Sequence, residues 1–295
     1  QLVIQELNRL DEAEIDLVDF LPVSARPVDE MVAELQTVID MMDDPDLKRL
    51  MEHFLSDADF MAGYTRAPAA KAMHHVCLGG LLEHSLAVAG LAADISRRYP
   101  DLNRDLLVVG ALLHDVGKVA ELRYQRSFEY TDAGKLLGHI VIGVEMVEEK
   151  IRCLGNFPRD LAVHLKHLLL SHHGQYEYGS PKRPKTMEAV ILNFLDDLDS
   201  KINGVRTHIE REPDSESAWT QYHKHYDRYF FKGVGHTVLS DKADPGQGEE
   251  KIKSPDPVSG EPSGRQGSRF SNTLGEQLKN KDINLLVKDI QDNSD

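Results

Sequence analysis

The sequence predicts an all-α protein, a bundle of helices with at most one small β-hairpin. Three observations carry this expectation. Apolar side chains recur at three- and four-residue spacing, as in Val28, Met31, Val32, Leu35, Val38, Ile39 and Met42, the period of an amphipathic helix. Stretches of this kind are divided by prolines and short polar turns such as the one at Pro100. Ionisable residues sit directly after or within apolar runs, in LLEHSL, LLHDVGK, LLGHIVIG, LLSHHG and NFLDDLD. Burial there without a partner would be costly.

In chain order, residues 1–27 open with the alternating stretch LVIQELNRL and continue through acidic text to Pro22 and Pro27. They read as a linker or the remnant of a preceding domain. The first helix begins at Val28, with Asp29 and Glu30 placing negative charge in its first turn. Residues 78–99 and 103–119 read as two long helices, with Asn103 as N-cap of the second. In ELRYQRSFEYTD, Tyr124, Phe128 and Tyr130 surround charged and turn-forming residues, and a small hairpin is expected. Helices are expected over 133–153, 158–171, 184–208 and 215–231. Residues 232–295, with DPGQGEE and SPDPVSGEPSGRQGS, hold too little apolar content to offset the entropy of ordering and read as disordered. The Leu-Val-Ile pattern at 282–290 reads as part of that tail.

The 295 residues can bury one sizeable core with room for extensions. No apolar run approaches the roughly 18 residues of a membrane span, and no basic, apolar leader opens the chain. Gln1 in place of Met suits a fragment or a processed product. Cys77 and Cys153 make no disulfide framework, so a reducing cytoplasm is the expected location. The net charge of −15 is uneven: residues 1–60 hold 16 acidic and 4 basic side chains, residues 61–231 hold 22 and 21. The leading segment is therefore a poor grip for a polyanion, whereas the helical region is nearly neutral with local basic clusters.

Seven side chains stand out as metal ligands: His84, His114, Asp115, His139, His172, His173 and Asp196. Most lone histidines on helices are structural or solvated, and there are 14 in the chain; the shared apolar context separates these from the rest. Imidazoles and carboxylates together suit a borderline divalent ion such as Mn²⁺, Fe²⁺, Zn²⁺, Ni²⁺ or Co²⁺. A catalytic ion keeps a position open, so one ion seldom takes all seven. Two ions sharing a carboxylate would use the whole set, a recurrent device for displacement at phosphorus. Asp115, beside His114, is the natural bridge. Lys118, four residues after His114, projects to the same face of one helix and could meet a phosphoryl or leaving oxygen. The loop text GQYEYGSPKRPK offers Tyr176 and Tyr178 for base stacking and Lys182, Arg183 and Lys185 for phosphates; Arg123 and Arg126 have a lesser claim. A P-loop, a GxSxG elbow and a CxxC pair are all missing, so nucleotide-driven, serine-hydrolase and redox readings lack support.

The ordered set GGLLEHS, ALLHDVGK, LLGHI, LLSHHGQYEYGSPKRP and FLDDLDSK, running over about residues 19–232, resembles the HD-domain metal-dependent phosphohydrolase superfamily. Within it the chain is similar to bacterial HD-domain 3′→5′ exoribonucleases that carry an OB fold ahead of the HD domain. The resemblance implies an HD domain at 28–231, with at most the last strand of an OB fold before it. It implies a first ion on His84, His114, Asp115 and Asp196, a second on Asp115, His139, His172 and His173, and Mn²⁺ as the foremost metal. It matches Asp199 to a nearby carboxylate, for which the expected part is to orient a ligand, and places His74 and His75 near the substrate, with a capping role as the alternative. The expected reaction is phosphoester hydrolysis by metal-activated water, with Asp115 and Lys118 as catalytic groups and RNA shortened from its 3′ end. A small-nucleotide hydrolase (a nucleotidase or cyclic-nucleotide phosphodiesterase) is the alternative enzyme, and an inactive metal-binding sensor or scaffold the alternative from another class. The expected partner is RNA or a nucleotide, with no membrane; homo-oligomerisation stays open.

Overall fold

A computed structural model describes residues 21–71, 75–124, 127–212 and 217–232. It is helical, with one two-stranded sheet among the described residues. The expected tail from 233 and the segment before 21 lie outside the described residues, as do His74 and Arg126.

Helix α1 (Val28–Asp40) buries Met31, Leu35 and Ile39, the four-residue stripe expected from its sequence. Helix α2 (Pro45–Leu55) starts at Asp44, whose carboxylate accepts from the main-chain N–H groups of Asp46 and Leu47 at 2.9 and 3.0 Å; such a cap contributes about 1 kcal/mol. Helix α3 (Ala58–Tyr64) is capped in the same way by Asp57. Helix α4 spans Gly80–Arg98 and helix α5 Arg104–Leu113, the latter capped by Asn103 as predicted. Every residue of α5 from Asp105 to Leu113 is buried, which makes it the central helix. Around it α1 to α4 and helices from residues 138–210 contribute to one core.

The continuous helix expected over 103–119 is broken. His114 ends α5, residues 114–117 turn, and a short α6 (Lys118–Glu121) follows. Gly117 explains the break: a Cβ there would lie 2.0 Å from the His139 carbonyl oxygen and 2.6 Å from the Gly143 nitrogen, so only glycine lets the two backbones meet. Strands β1 (Leu122–Arg123) and β2 (Glu129–Tyr130) pair antiparallel where the hairpin was expected. The single helix expected over 133–153 is two, α7 (Asp132–Leu136) and α8 (Gly138–Leu154). Here Glu121 caps the start of α8, its Oε1 accepting from the His139 main-chain N–H at 2.9 Å. Helices α9 (Arg159–Ser171) and α10 (Met187–Glu210) complete the bundle, and α10 packs on α4, α5 and α9.

The helix expected over 215–231 is a correction. Residues 217–232 instead fold back on themselves, with antiparallel bridges Trp219–Phe231 and His223–Arg228. Aromatic side chains favour extended backbone, and Asp227 turns the chain with φ of 54°. Trp219, Tyr222, Tyr226 and Tyr229 imitate helical spacing only by chance. No helix among the described residues is long and apolar enough to cross a membrane.

Candidate metal centre

The bundle brings the seven sequence-predicted ligands together from helices α4, α8 and α10 and from the turns that follow α5 and α9. His84 comes from α4, Asp196 from α10, and His139 from the first turn of α8. His114 and His172 occupy equivalent positions as the residues that end α5 and α9. Their Nδ1–H groups donate to carbonyls three residues back, Ala111 at 2.8 Å and Leu169 at 2.7 Å.

The other three imidazoles are held by the same nitrogen. Nδ1 of His84 donates to Asp199 Oδ2 at 2.7 Å, that of His139 to Glu121 Oε1 at 3.1 Å, and that of His173 to the Tyr178 carbonyl at 3.0 Å. With Nδ1 protonated, Nε2 carries the lone pair of a metal ligand.

The Nε2 atoms of His84, His114, His139 and His172 surround Asp115. On one side, His84 Nε2 lies 3.2 Å from His114 Nε2 and 3.2 Å from Asp196 Oδ1. Asp115 Oδ2 is 3.4 Å from His114 Nε2 and 3.8 Å from His84 Nε2. On the other side, Asp115 Oδ1 lies 3.4 Å from His139 Nε2 and 3.7 Å from His172 Nε2. His139, His172 and His173 can present their nitrogens within 4.8 Å of one another, as can the ligand atoms of His84, His114 and Asp196.

The residues fit a divalent cation. Asp115 Oδ1, His139 Nε2 and His172 Nε2 are buried without a hydrogen-bond partner, a cost that a native site bears only when something else satisfies those atoms. The charges agree. Burial and the neighbouring His173 and His114 push His172 well below the usual imidazole range, and burial and His139 lower His173. Both stay neutral, as ligands must. Burial alone would raise Asp115 and Asp196, but the facing Lys118 and histidines outweigh it and hold both carboxyls ionised. Burial would lower His84, yet its bonds to Asp196 and Asp199 raise it to about 9, so two carboxylates favour its charged form.

Lys118 is buried, and its Nζ lies 2.5 Å from Asp115 Oδ2. The turn at 114–117, rather than a continuous helix face, brings it there. Asp199, expected beside the site, holds the His84 ring through Nδ1. His75 does not reach the place expected of a substrate contact. It is 7% exposed, its Nε2 donates to Asp199 Oδ2 at 3.1 Å, and Glu83 and Asn203 hold its other side. Carboxylates on two sides meet the needs of a buried imidazole, which fixes His75 behind His84.

Tyr176 and Tyr178 are exposed on the loop after His173, and the Arg183 guanidinium lies over the Tyr176 ring at 5.1 Å. Lys182 is anchored only through its main chain, to the Leu170 carbonyl at 3.1 Å, which leaves its side chain in solvent. Glu121 and Asn203 were not foreseen. The one signal for Glu121 was an acid closing the apolar HDVGKVAE run. A cavity of about 660 Å³ lined by Ile95, Tyr99, Leu102, Met187, Val190 and Phe194 is apolar and contains none of these ligands.

The HD domain family matches residues 81–201, a span that holds all seven candidate ligands and Asp199. The chain is 35% identical over 240 residues to the 3′-5′ exoribonuclease YhaM of Geobacillus sp. (strain WCH70), covering 81% of this chain and 73% of that protein. It is 38% identical over 214 residues to the protein of the same name from Bacillus subtilis (strain 168), covering 72% and 67%, and 38% identical over 212 residues to that of Bacillus velezensis. No solved structure matches.

Proposed function

We propose that this chain, which belongs to the HD-domain family together with the YhaM exoribonucleases, is a metal-dependent phosphodiesterase that shortens RNA from its 3′ end. One observation carries the reading: five imidazoles commit Nδ1 to an oxygen acceptor, and the Nε2 atoms of four of them, His84, His114, His139 and His172, lie within 3.8 Å of an oxygen of one buried aspartate. His84, His114, Asp115 and Asp196 would hold one ion, and Asp115, His139, His172 and His173 a second, with Mn²⁺ the ion we assign. Divalent ions bound there would supply Lewis acidity, acidifying water and drawing charge from phosphoryl oxygens.

The chain's own groups do the rest. Asp115 stays ionised because Lys118 and the imidazoles face it, and its two oxygens keep the halves of the site in register. Lys118, poised beside Asp115, neutralises charge developing on a phosphoryl oxygen or gives its proton to the departing ribose oxygen. Tyr176 offers a ring to the terminal base, with Arg183 and Lys182 meeting phosphates. The likeness to YhaM exoribonucleases supports RNA over a small nucleotide as substrate.

The test incubates the Mn²⁺-loaded protein with 5′-labelled single-stranded RNA, a mononucleotide, a cyclic dinucleotide and bis(4-nitrophenyl) phosphate. A ladder of products shortening from the 3′ end is expected. Turnover of small substrates alone would make it a nucleotide hydrolase, and a metal-loaded sample that turns over none of them would leave a sensor or scaffold.

A further inference from the structure

We propose that residues 217–232 form a second RNA site, a stacking platform that holds the single strand upstream of the end being hydrolysed; this rests on the RNA reading above. The composition is the first argument. The 16 residues carry six of the chain's 19 aromatic side chains, and Lys224, Arg228 and Lys232 against the single acid Asp227. A basic, aromatic segment in a chain of net charge −15 is matched to a polyanion with flat bases.

The fold-back sorts these rings onto two sides. Trp219 and Phe231 pair edge to face at 5.2 Å, as do Tyr222 and Tyr229 at 5.2 Å. These four are 44–59% exposed. Large rings held in solvent in ordered pairs mark a contact surface. No Leu, Ile, Val or Met stands among residues 217–232, so the surface lacks the aliphatic content that a protein-docking face would use. Base stacking on rings, with nearby cations for phosphates, is the chemistry it fits.

The other side fastens the platform to α10. His223 and Phe230 pack on His208 at 4.5 and 6.1 Å, and His208 Nε2 donates to the Gln221 carbonyl at 3.1 Å. Glu212 accepts from the Gln221 main-chain N–H at 2.9 Å. Gly204 lies within α10, where glycine weakens a helix; a Cβ there would come 2.7 Å from the Tyr226 hydroxyl. The same helix carries Asp196, eight residues before Gly204, so the platform attaches about 12 Å along its axis from that ligand. A strand whose 3′ end lies at Asp115 can reach it.

Trp219 is the chain's one tryptophan and reports on its own site. Titrating metal-free protein with a short single-stranded oligoadenylate should quench its fluorescence saturably, whereas inorganic polyphosphate should not. In the Mn²⁺ enzyme, the Trp219→Ala/Tyr229→Ala variant should raise KM for a long single-stranded RNA about tenfold or more. Its kcat, metal content and turnover of bis(4-nitrophenyl) phosphate should be unchanged, and Trp219→Phe should restore much of the KM. Absent quenching, equal quenching by polyphosphate, or an unchanged KM overturns the platform. Quenching by a protein that hydrolyses no phosphodiester would keep the platform and remove the hydrolase reading; hydrolysis without quenching does the reverse.

Discussion

The two halves of the candidate metal centre are built from different materials. On the α4–α10 side, His84 and His114 face the carboxylate of Asp196, and Asp199 and His75 stand behind His84. On the α8–α9 side, His139 and His172 face Asp115 Oδ1 with the His173 ring packed beside them, and the Nε2 atoms of His139 and His172 have no hydrogen-bond partner among the described residues. In the first half the imidazoles meet carboxylates of the protein itself; in the second, Asp115 Oδ1 and two imidazole nitrogens are buried with no hydrogen-bond partner among the described residues. Asp115 is the hinge between them, with Oδ2 toward the first and Oδ1 toward the second. A shared buried aspartate therefore couples a half that is internally neutralised to one that is not.

Removing the hinge should have the largest effect. Asp115→Ala should strip metal from both halves and lower hydrolysis by on the order of 10³-fold or more, read by elemental analysis and RNA turnover. Retained activity would break the comparison. His172→Ala should be milder and one-sided: one ion per chain is lost, the other stays, and turnover falls about 100-fold. Loss of both ions would mean that the halves do not bind separately. Asp199→Asn weakens only the His84 side, with metal affinity there reduced about 10- to 100-fold and the other ion unmoved.

The smallest effect is on the stability of the metal-free protein. His172 titrates below 6.5 when folded, so the unfolded chain binds the proton first and stability is lost as pH falls below about 6.5. His84 is raised to about 9. Its contribution is full below 6.5 and is lost as pH rises through about 9. Melting temperature should fall by a few degrees on each side, with His172→Gln flattening the acid limb and His84→Gln the alkaline one. A single monotonic limb would show that one half dominates.

Much of the bundle was legible because it is local. The stripe of α1, the Asn103 cap and the hairpin at 122–130 follow from spacing and residue type within one or two turns. The breaks at 114–117 and 137–138 were not, since both arise where Gly117 and Glu121 meet the start of α8, about twenty residues away. The fold-back at 217–232 was missed because its aromatic spacing also fits a helix.

The sequence by itself determined which side chains can donate to a metal and that each lies at the end of an apolar run, because donor chemistry and helical period are carried by neighbouring residues. Only the tertiary structure decided which nitrogen of each imidazole faces inward, that His75 backs Asp199 instead of standing open to solvent, and that Asp115 turns one oxygen to each half. The bond from His84 to Asp199 joins residues 115 apart in the chain, and its geometry exists only once α4 and α10 are packed together. Local propensity carries no record of that distance.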